Sequence, residues 1–190
     1  MAHYDEALTL REARAQYFEA NGFGADGGYA ARWVKLRAGP IRFAIPNTTA
    51  RVRAVRLHDL HHLMTGYDTN WRGEFEISAW EIAGSCRDYV AAWILNLGGL
   101  AAGLFTHPRA VFRAFVRGRH SANFYSTGFS DGLLEQTVGD ARGALRLDGA
   151  LAAATPGDRV AFAGWSLGAL LLYTAPLVGL VWLASRLLGS

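Results

Sequence analysis

The sequence predicts a mainly α-helical fold: a helical domain over residues 1–155, one short β-hairpin near residues 33–45, and a C-terminal transmembrane helix over 160–186. Three observations predict it. Apolar residues recur at helical spacing between recognisable caps along most of the chain. Strict alternation is confined to Trp33-Val34-Lys35-Leu36-Arg37 and Ile41-Arg42-Phe43-Ala44-Ile45, the pattern of a half-buried strand pair. No charge occurs between Arg159 and Arg186.

Each element follows from local chemistry. Residues 5–20 read as a first helix, closed by Asn21-Gly22 and followed by a glycine-rich loop through Gly28. Ala38-Gly39-Pro40 turns the hairpin. Asn47, Thr48 and Thr49 offer caps for a helix over about 50–65 that stops at Gly66. Asp68, Thr69 and Asn70 form a loop, and a long helix is expected from about Gly73 to Leu97. Pro108 suits the first turn of the next helix, which ends near 119. A further helix is expected near 131–147, and Thr155-Pro156-Gly157-Asp158 leads into the C-terminal segment.

The uncharged run Val160–Ser185 exceeds the roughly 20 residues a bilayer span needs. Trp165 and Trp182 lie near its two ends, as interfacial aromatics do. The arginine-rich body is then expected on the cytoplasmic side, by the positive-inside bias. The N-terminal stretch has no apolar core and does not read as a signal peptide. In the 108–119 helix, Arg109, Arg113 and Arg117 share one face beside Phe112, Phe115 and Val116. That is the pattern of a basic amphipathic helix lying on anionic lipid, and equally of a solvated helix face.

Composition excludes several classes. Of the 190 residues, 51% are hydrophobic and 18% charged, which excludes a disordered chain. One cysteine, Cys86, excludes an internal disulfide framework. The net charge of +3 is mild, the arginines are spread along the chain, and no recognition motif is present, so nucleic acid is not an expected partner.

The chemistry concentrates at His58, Asp59, His61 and His62. On a helix, His58 and His62 are one turn apart on one face, with Asp59 rotated about 100° from His58. Val52 and Val55 share that sector, so two imidazoles and a carboxylate point toward the apolar side. A divalent cation offsets the cost of burying that carboxylate and suits nitrogen and oxygen ligands. Eleven residues, Leu63 to Gly73, separate His62 from Glu74, whose carboxylate can return to the cluster from the next helix. Glu81, seven residues on, shares the face of Glu74; it can hold a ligand histidine or carry a proton. His61 could compete as a ligand.

The resulting string, HDLHHLMTGYDTNWRGE, has the form H-D-x-x-H-x11-E. It resembles the metal-site signature of the ubiquinone (coenzyme Q) biosynthesis family called Coq-four. The arginine-rich approach ARVRAVR, the Gly73-Glu74 pair and Glu81 agree with that family, and residues 133–147 loosely resemble its C-terminal helix. The resemblance covers about residues 40–147. It implies a helical protein with one divalent metal, usually zinc, held by His58, Asp59, His62 and Glu74. It implies a place on the membrane face where prenylated quinone precursors are modified, beside other quinone-biosynthesis enzymes. The activity it implies is that of a lyase, a decarboxylase removing the ring carboxyl at carbon one, where a hydroxyl then stands. Glu81 or His61 would move protons, and the glycine-interrupted run 89–106 would line a groove for the prenyl tail. Two other functions compete: a non-catalytic lipid-binding scaffold, favoured if four ligands saturate a tetrahedral zinc, and a membrane-anchored metal hydrolase.

Overall fold

The structure, a computed structural model, describes residues 4–38 and 41–188. It is mainly helical, with one two-stranded antiparallel sheet. Helix α1 spans Leu10–Asn21; β1 (Trp33–Ala38) pairs with β2 (Ile41–Pro46); then follow α2 (Thr49–Thr65), α3 (Trp71–Gly84), α4 (Val90–Thr106), α5 (Pro108–Arg119), α6 (Asp131–Leu134), α7 (Val138–Ala144) and α8 (Pro156–Leu188). In the hairpin Trp33 faces Pro46 and Lys35 faces Ala44; the turn residues Gly39 and Pro40 lie outside the described residues.

The caps set these boundaries. Thr9 and Glu12 form a reciprocal box at the start of α1, satisfying two backbone donors that a helix leaves open. Thr48 Oγ1 accepts from the Arg51 amide at 3.2 Å to start α2, and Gly66 ends it with φ 71°. A left-handed residue there frees the chain to turn without a Cβ clash. Asn70 Oδ1 accepts from the Gly73 amide at 3.0 Å and starts α3.

The single helix expected over 73–97 is corrected to two. It breaks at Ser85–Tyr89, where Ser85 and Arg87 take φ of 75° and 49°. The reversal lets α4 fold back on α3 and bury Ala92, Leu100 and Ala101, which a straight helix would leave in water. The expected helix over 131–147 is likewise two short ones. Between them, Gln136 accepts from the Leu10 amide and Val138 donates to the Leu8 carbonyl, both at 2.8 Å, tying this turn to the start of α1.

Helix α3 is the centre of the body, packed between α4 and α5. Trp80, Ile77 and Ile82 on it are fully buried with Phe115 and Leu100, each worth roughly 1.5–3 kcal/mol of apolar burial. Glycines allow the close approach. A Cβ on Gly99 would stand 2.2 Å from Ser78 Oγ, one on Gly103 2.6 Å from Val111, and one on Gly118 2.3 Å from the Trp80 carbonyl oxygen. The run 89–106 expected to line a tail groove thus uses Gly99 and Gly103 for helix packing.

Two membrane expectations change. The segment 160–186 is one continuous helix within α8. Among the described residues, however, no helix is long and apolar enough to cross a membrane, so the transmembrane span is not supported. Gly164, Ser166, Gly168, Tyr173 and Thr174 dilute its leucines, and its first turns pack on protein. Trp165 stacks on Trp93 of α4 at 5.2 Å, and Phe162 meets Phe112 and Phe115 of α5 at 5.0 and 5.3 Å. The amphipathic face of α5 is also spoken for: Phe115 and Val116 are in the core and Phe112 is half-covered by α8. Arg109 and Arg113 are exposed, but Arg117 turns inward and donates to the Thr65 carbonyl at 2.8 Å.

Candidate metal centre

Helix α2 presents His58 and His62 one turn apart, and the first turn of α3 brings Glu74 across to them. Gly73 makes that approach possible, because a Cβ there would lie 1.9 Å from the Asp68 carbonyl oxygen. His58, His62 and Glu74 each offer one ligand atom, and these atoms lie within 4.8 Å of one another: a group that could hold a metal ion. The Nε2 atoms of His58 and His62 are 3.2 Å apart, and the Glu74 oxygens are 3.4 Å from the first and 3.5 Å from the second. A tetrahedral ion with bonds of about 2.0–2.1 Å has ligand–ligand edges of about 3.3–3.4 Å; the Nε2 pair lies near that edge, and Glu74 meets each histidine with a different oxygen.

The protons on the two rings are placed by their other partners. His62 Nδ1 is 2.9 Å from the Tyr67 carbonyl, which only accepts, so Nδ1 carries the hydrogen. His58 Nδ1 donates to Glu81 Oε1 at 2.8 Å. Both rings therefore turn bare Nε2 lone pairs toward each other unless a proton or a cation lies between them. Burial lowers the affinity of His58 for a proton, but Glu81 and Glu74 outweigh it and raise its pKa well above the ordinary histidine value. Burial pushes the Glu74 carboxyl up, yet the hydrogen bonds to His58 and His62 hold it down at about 2. A positive charge between these side chains is what the surrounding carboxylates favour.

Glu81 organises this arrangement from behind. It is fully buried. Its Oε1 accepts from His58 and, at 2.7 Å, from His61 Nδ1; its Oε2 accepts from Tyr125 Oη at 2.7 Å and from Asn96 Nδ2. Burial raises its pKa, but the charge and hydrogen bond of His58 and the bond from His61 pull it well below the carboxylate range. Every lone pair of Glu81 is engaged and none faces the Nε2 pair, so it positions the histidine ligand and is not itself exposed to a substrate. His61 is removed from competition too. Its Nε2 accepts from the Phe124 amide at 3.0 Å, which fixes it as a neutral ring with the hydrogen on Nδ1. Phe124 stacks on it at 5.5 Å and Trp80 meets it edge-on at 5.1 Å.

Asp59 is not brought into the three-ligand group. Consecutive helical residues diverge by about 100°, and its Oδ2 accepts from Tyr29 Oη at 2.6 Å instead. Burial raises its pKa against the pull of Tyr29, His58 and His62. Tyr17 of α1 stacks on His62, with centroids 5.9 Å apart and 21° between planes. Sequence spacing does not reveal Tyr17, Tyr29 or Tyr125, which come from distant segments, nor the carbonyl of Tyr67, which follows His62 by only five residues. Asn96 did leave a signal, as a lone amide within the uncharged run 89–106.

No protein-family model, curated protein or solved structure matches this chain.

Proposed function

We propose that this chain is a zinc-dependent lyase of ubiquinone-type quinone biosynthesis, acting at a membrane surface on a prenylated aromatic carboxylate and removing the ring carboxyl at carbon one. The observation that carries the reading is the pair of histidine Nε2 atoms facing each other beside Glu74, with both Nδ1 hydrogens committed elsewhere. The H-D-x-x-H-x11-E string that resembles the Coq-four family is the string that builds this pair. Three converging side chains, not four, leave a coordination position open, as catalytic zinc sites do. A zinc ion bound there supplies a Lewis acid for charge on the ring carboxylate or phenolate. Glu81 and the Tyr67 carbonyl hold the two rings in the tautomer that binds it. Breaking the ring–carboxyl bond releases carbon dioxide and leaves the bonding pair on the ring carbon, where a proton replaces the carboxyl.

The membrane surface and the prenyl tail are supported by exposed apolar side chains: Val90, Ile94, Leu95 and Phe105 on α4, with Leu167 and Leu171 on α8. Contiguous exposed apolar patches mark lipid or protein contacts. We place these helices against the cytoplasmic face of the bacterial inner membrane, with α8 lying on the lipid. The same surfaces favour a second reading, a lipid-binding scaffold for other quinone-biosynthesis enzymes.

Elemental mass spectrometry of wild type and His62→Ala, followed by product analysis with a prenylated hydroxybenzoate, tests the proposal. Zinc in the wild type, lost in the variant, together with the decarboxylated product, is the expected result. Zinc with bound prenyl lipid and no turnover moves the assignment to the scaffold. A wild type without metal overturns the site.

A further inference from the structure

Among the described residues five arginines are paired with acids: Arg11, Arg53, Arg72, Arg119 and Arg142. Arg11 meets Glu135 at 2.8 Å and Asp131 at 3.2 Å, Arg119 meets Asp158 at 2.7 Å, and Arg142 meets Asp148 at 3.0 Å. Arg14 of α1 and Arg56 of α2 are set apart by sharing an aromatic ring. Each guanidinium carbon lies 5.4 Å from the centroid of the same ring, Phe129. Arg14 also covers Phe18 at 5.6 Å and Arg56 covers Tyr29 at 5.4 Å. Among the described residues neither has a carboxylate or hydrogen-bond partner. Two like charges gathered on one ring repel each other, and aromatic faces offset this only in part. A third arginine adds to the imbalance: Arg51 is half-buried, its Nη1 donates to Asn47 at 2.8 Å, and its Nε is buried with no partner.

The place matters as much as the charge. Tyr29, under Arg56, donates to Asp59 at 2.6 Å, and Asp59 follows the ligand His58 on α2. Asp59 is thus hydrogen-bonded to a tyrosine rather than to Arg14 or Arg56. We infer that Arg14, Arg56 and Phe129 form an oxyanion-binding site beside the metal centre, which takes the carboxylate or phosphate of an acidic ligand. The planar forks supply paired N–H donors to the oxyanion, and Phe129 holds the two forks apart. The inference rests on the proposed function only for the identity of the ligand that would bridge this site and the metal; the anion site itself needs no metal.

Isothermal titration of the full chain with inorganic phosphate and, separately, with benzoate tests it, in metal-stripped and zinc-loaded protein. The metal-stripped wild type is expected to bind at least one of the two anions, and the tighter of them names the group. Arg14→Gln/Arg56→Gln is expected to weaken that binding about tenfold or more, with zinc content unchanged. Arg109→Gln/Arg113→Gln, the same charge loss on exposed α5, serves as control and should change it less than about twofold, as screened distant charges do. No binding to metal-stripped wild type overturns the site, and so does an equal loss in both double variants. Should the glutamine pair fail to fold, Arg14→Lys/Arg56→Lys keeps the charge and loses the fork; weaker binding supports the site, and wild-type affinity overturns it. Zinc absent from the wild type would sink the metal centre while leaving this readout intact.

Discussion

Glu81 and Asp158 are both shut away from solvent, and each gathers histidine from another part of the fold. Asp158 accepts from Arg119, from His120 at 3.1 Å, and from the Thr155 amide and hydroxyl at 2.9 and 2.8 Å. Its charge is answered by a guanidinium and by a helix cap, and the cluster ends there. Glu81 meets only the Nδ1 sides of His58 and His61, an amide and a phenol. One of its imidazoles, His58, turns its Nε2 on to that of the next one, 3.2 Å away. The difference is between a carboxylate that fastens a helix and one that aims a ligand. A buried acid saturated by cationic donors is a joint. A buried acid that leaves lone pairs facing each other needs a further cation to complete it.

The sharpest way to break this comparison is Glu81→Ala. It strands two buried imidazoles, Asn96 and Tyr125, and is expected to cost about 3–5 kcal/mol in urea unfolding, as loss of one member of a buried charged pair does. The milder Glu81→Gln is expected to keep the fold and weaken zinc binding about 10–100-fold. Zinc affinity as unaffected by Glu81→Gln as by Asp158→Asn would erase the distinction drawn here.

Proton linkage comes next in size. The raised pKa of His58 means that, without metal, its charged form stabilises the fold at low pH. That contribution is complete below the ordinary histidine value and is lost as pH rises through the raised one. Zinc must displace this proton, so its affinity should climb by about tenfold per pH unit until the raised value is passed, then level off. Titration in buffers of different ionisation enthalpy would count the proton released; no release contradicts the raised pKa of His58.

Asp158→Asn sharpens the other side. The hydrogen bonds from His120, Thr155 and Arg119 hold Asp158 below its usual range, so its contribution is present above the ordinary carboxylate value and fades as pH falls. The variant should lower the melting temperature by about 2–4 °C at neutral pH and lose that difference in acid, with zinc content untouched. The smallest effect belongs to Arg109→Gln and Arg113→Gln. Both side chains are exposed and unpaired among the described residues, and each change should stay within about 0.5 kcal/mol in thermal unfolding.

Much of this architecture is legible in the residues themselves. The caps at Thr48 and Asn70, the stop at Gly66 and the alternation of the hairpin are local chemistry, and local chemistry is written in order; the first helix, expected from residue 5, instead starts at Leu10 behind a Thr9 cap. The break between α3 and α4 is not. Ser85 and Arg87 adopt positive φ because α4 gains by packing on α3, a long-range reward that no neighbouring residue announces. The spacing brings out His58, His62 and Glu74, the group that could hold a metal ion, while Asp59 lies outside it because a helix period cannot show that Tyr29, from a separate segment, donates to it. The amphipathic face of α5 was visible, but whether lipid or protein would cover it was not a property of α5 at all. Glu81 is expected either to hold a histidine or to carry a proton; the structure joins it to His58 and His61, and its other partners, Asn96 and Tyr125, are ones that spacing does not announce.

One acceptor at the centre is main chain, not side chain: the Tyr67 carbonyl that sets the hydrogen of His62. No exchange of the residue at 67 can delete it, so that half of the candidate metal site is shielded from point mutation at the position that supplies it. The vulnerability moves one residue back, to Gly66, whose left-handed turn aims the carbonyl. A residue with no side chain thereby becomes a gatekeeper of metal chemistry, and lineages sharing this site would be free to vary the tyrosine but not the glycine before it.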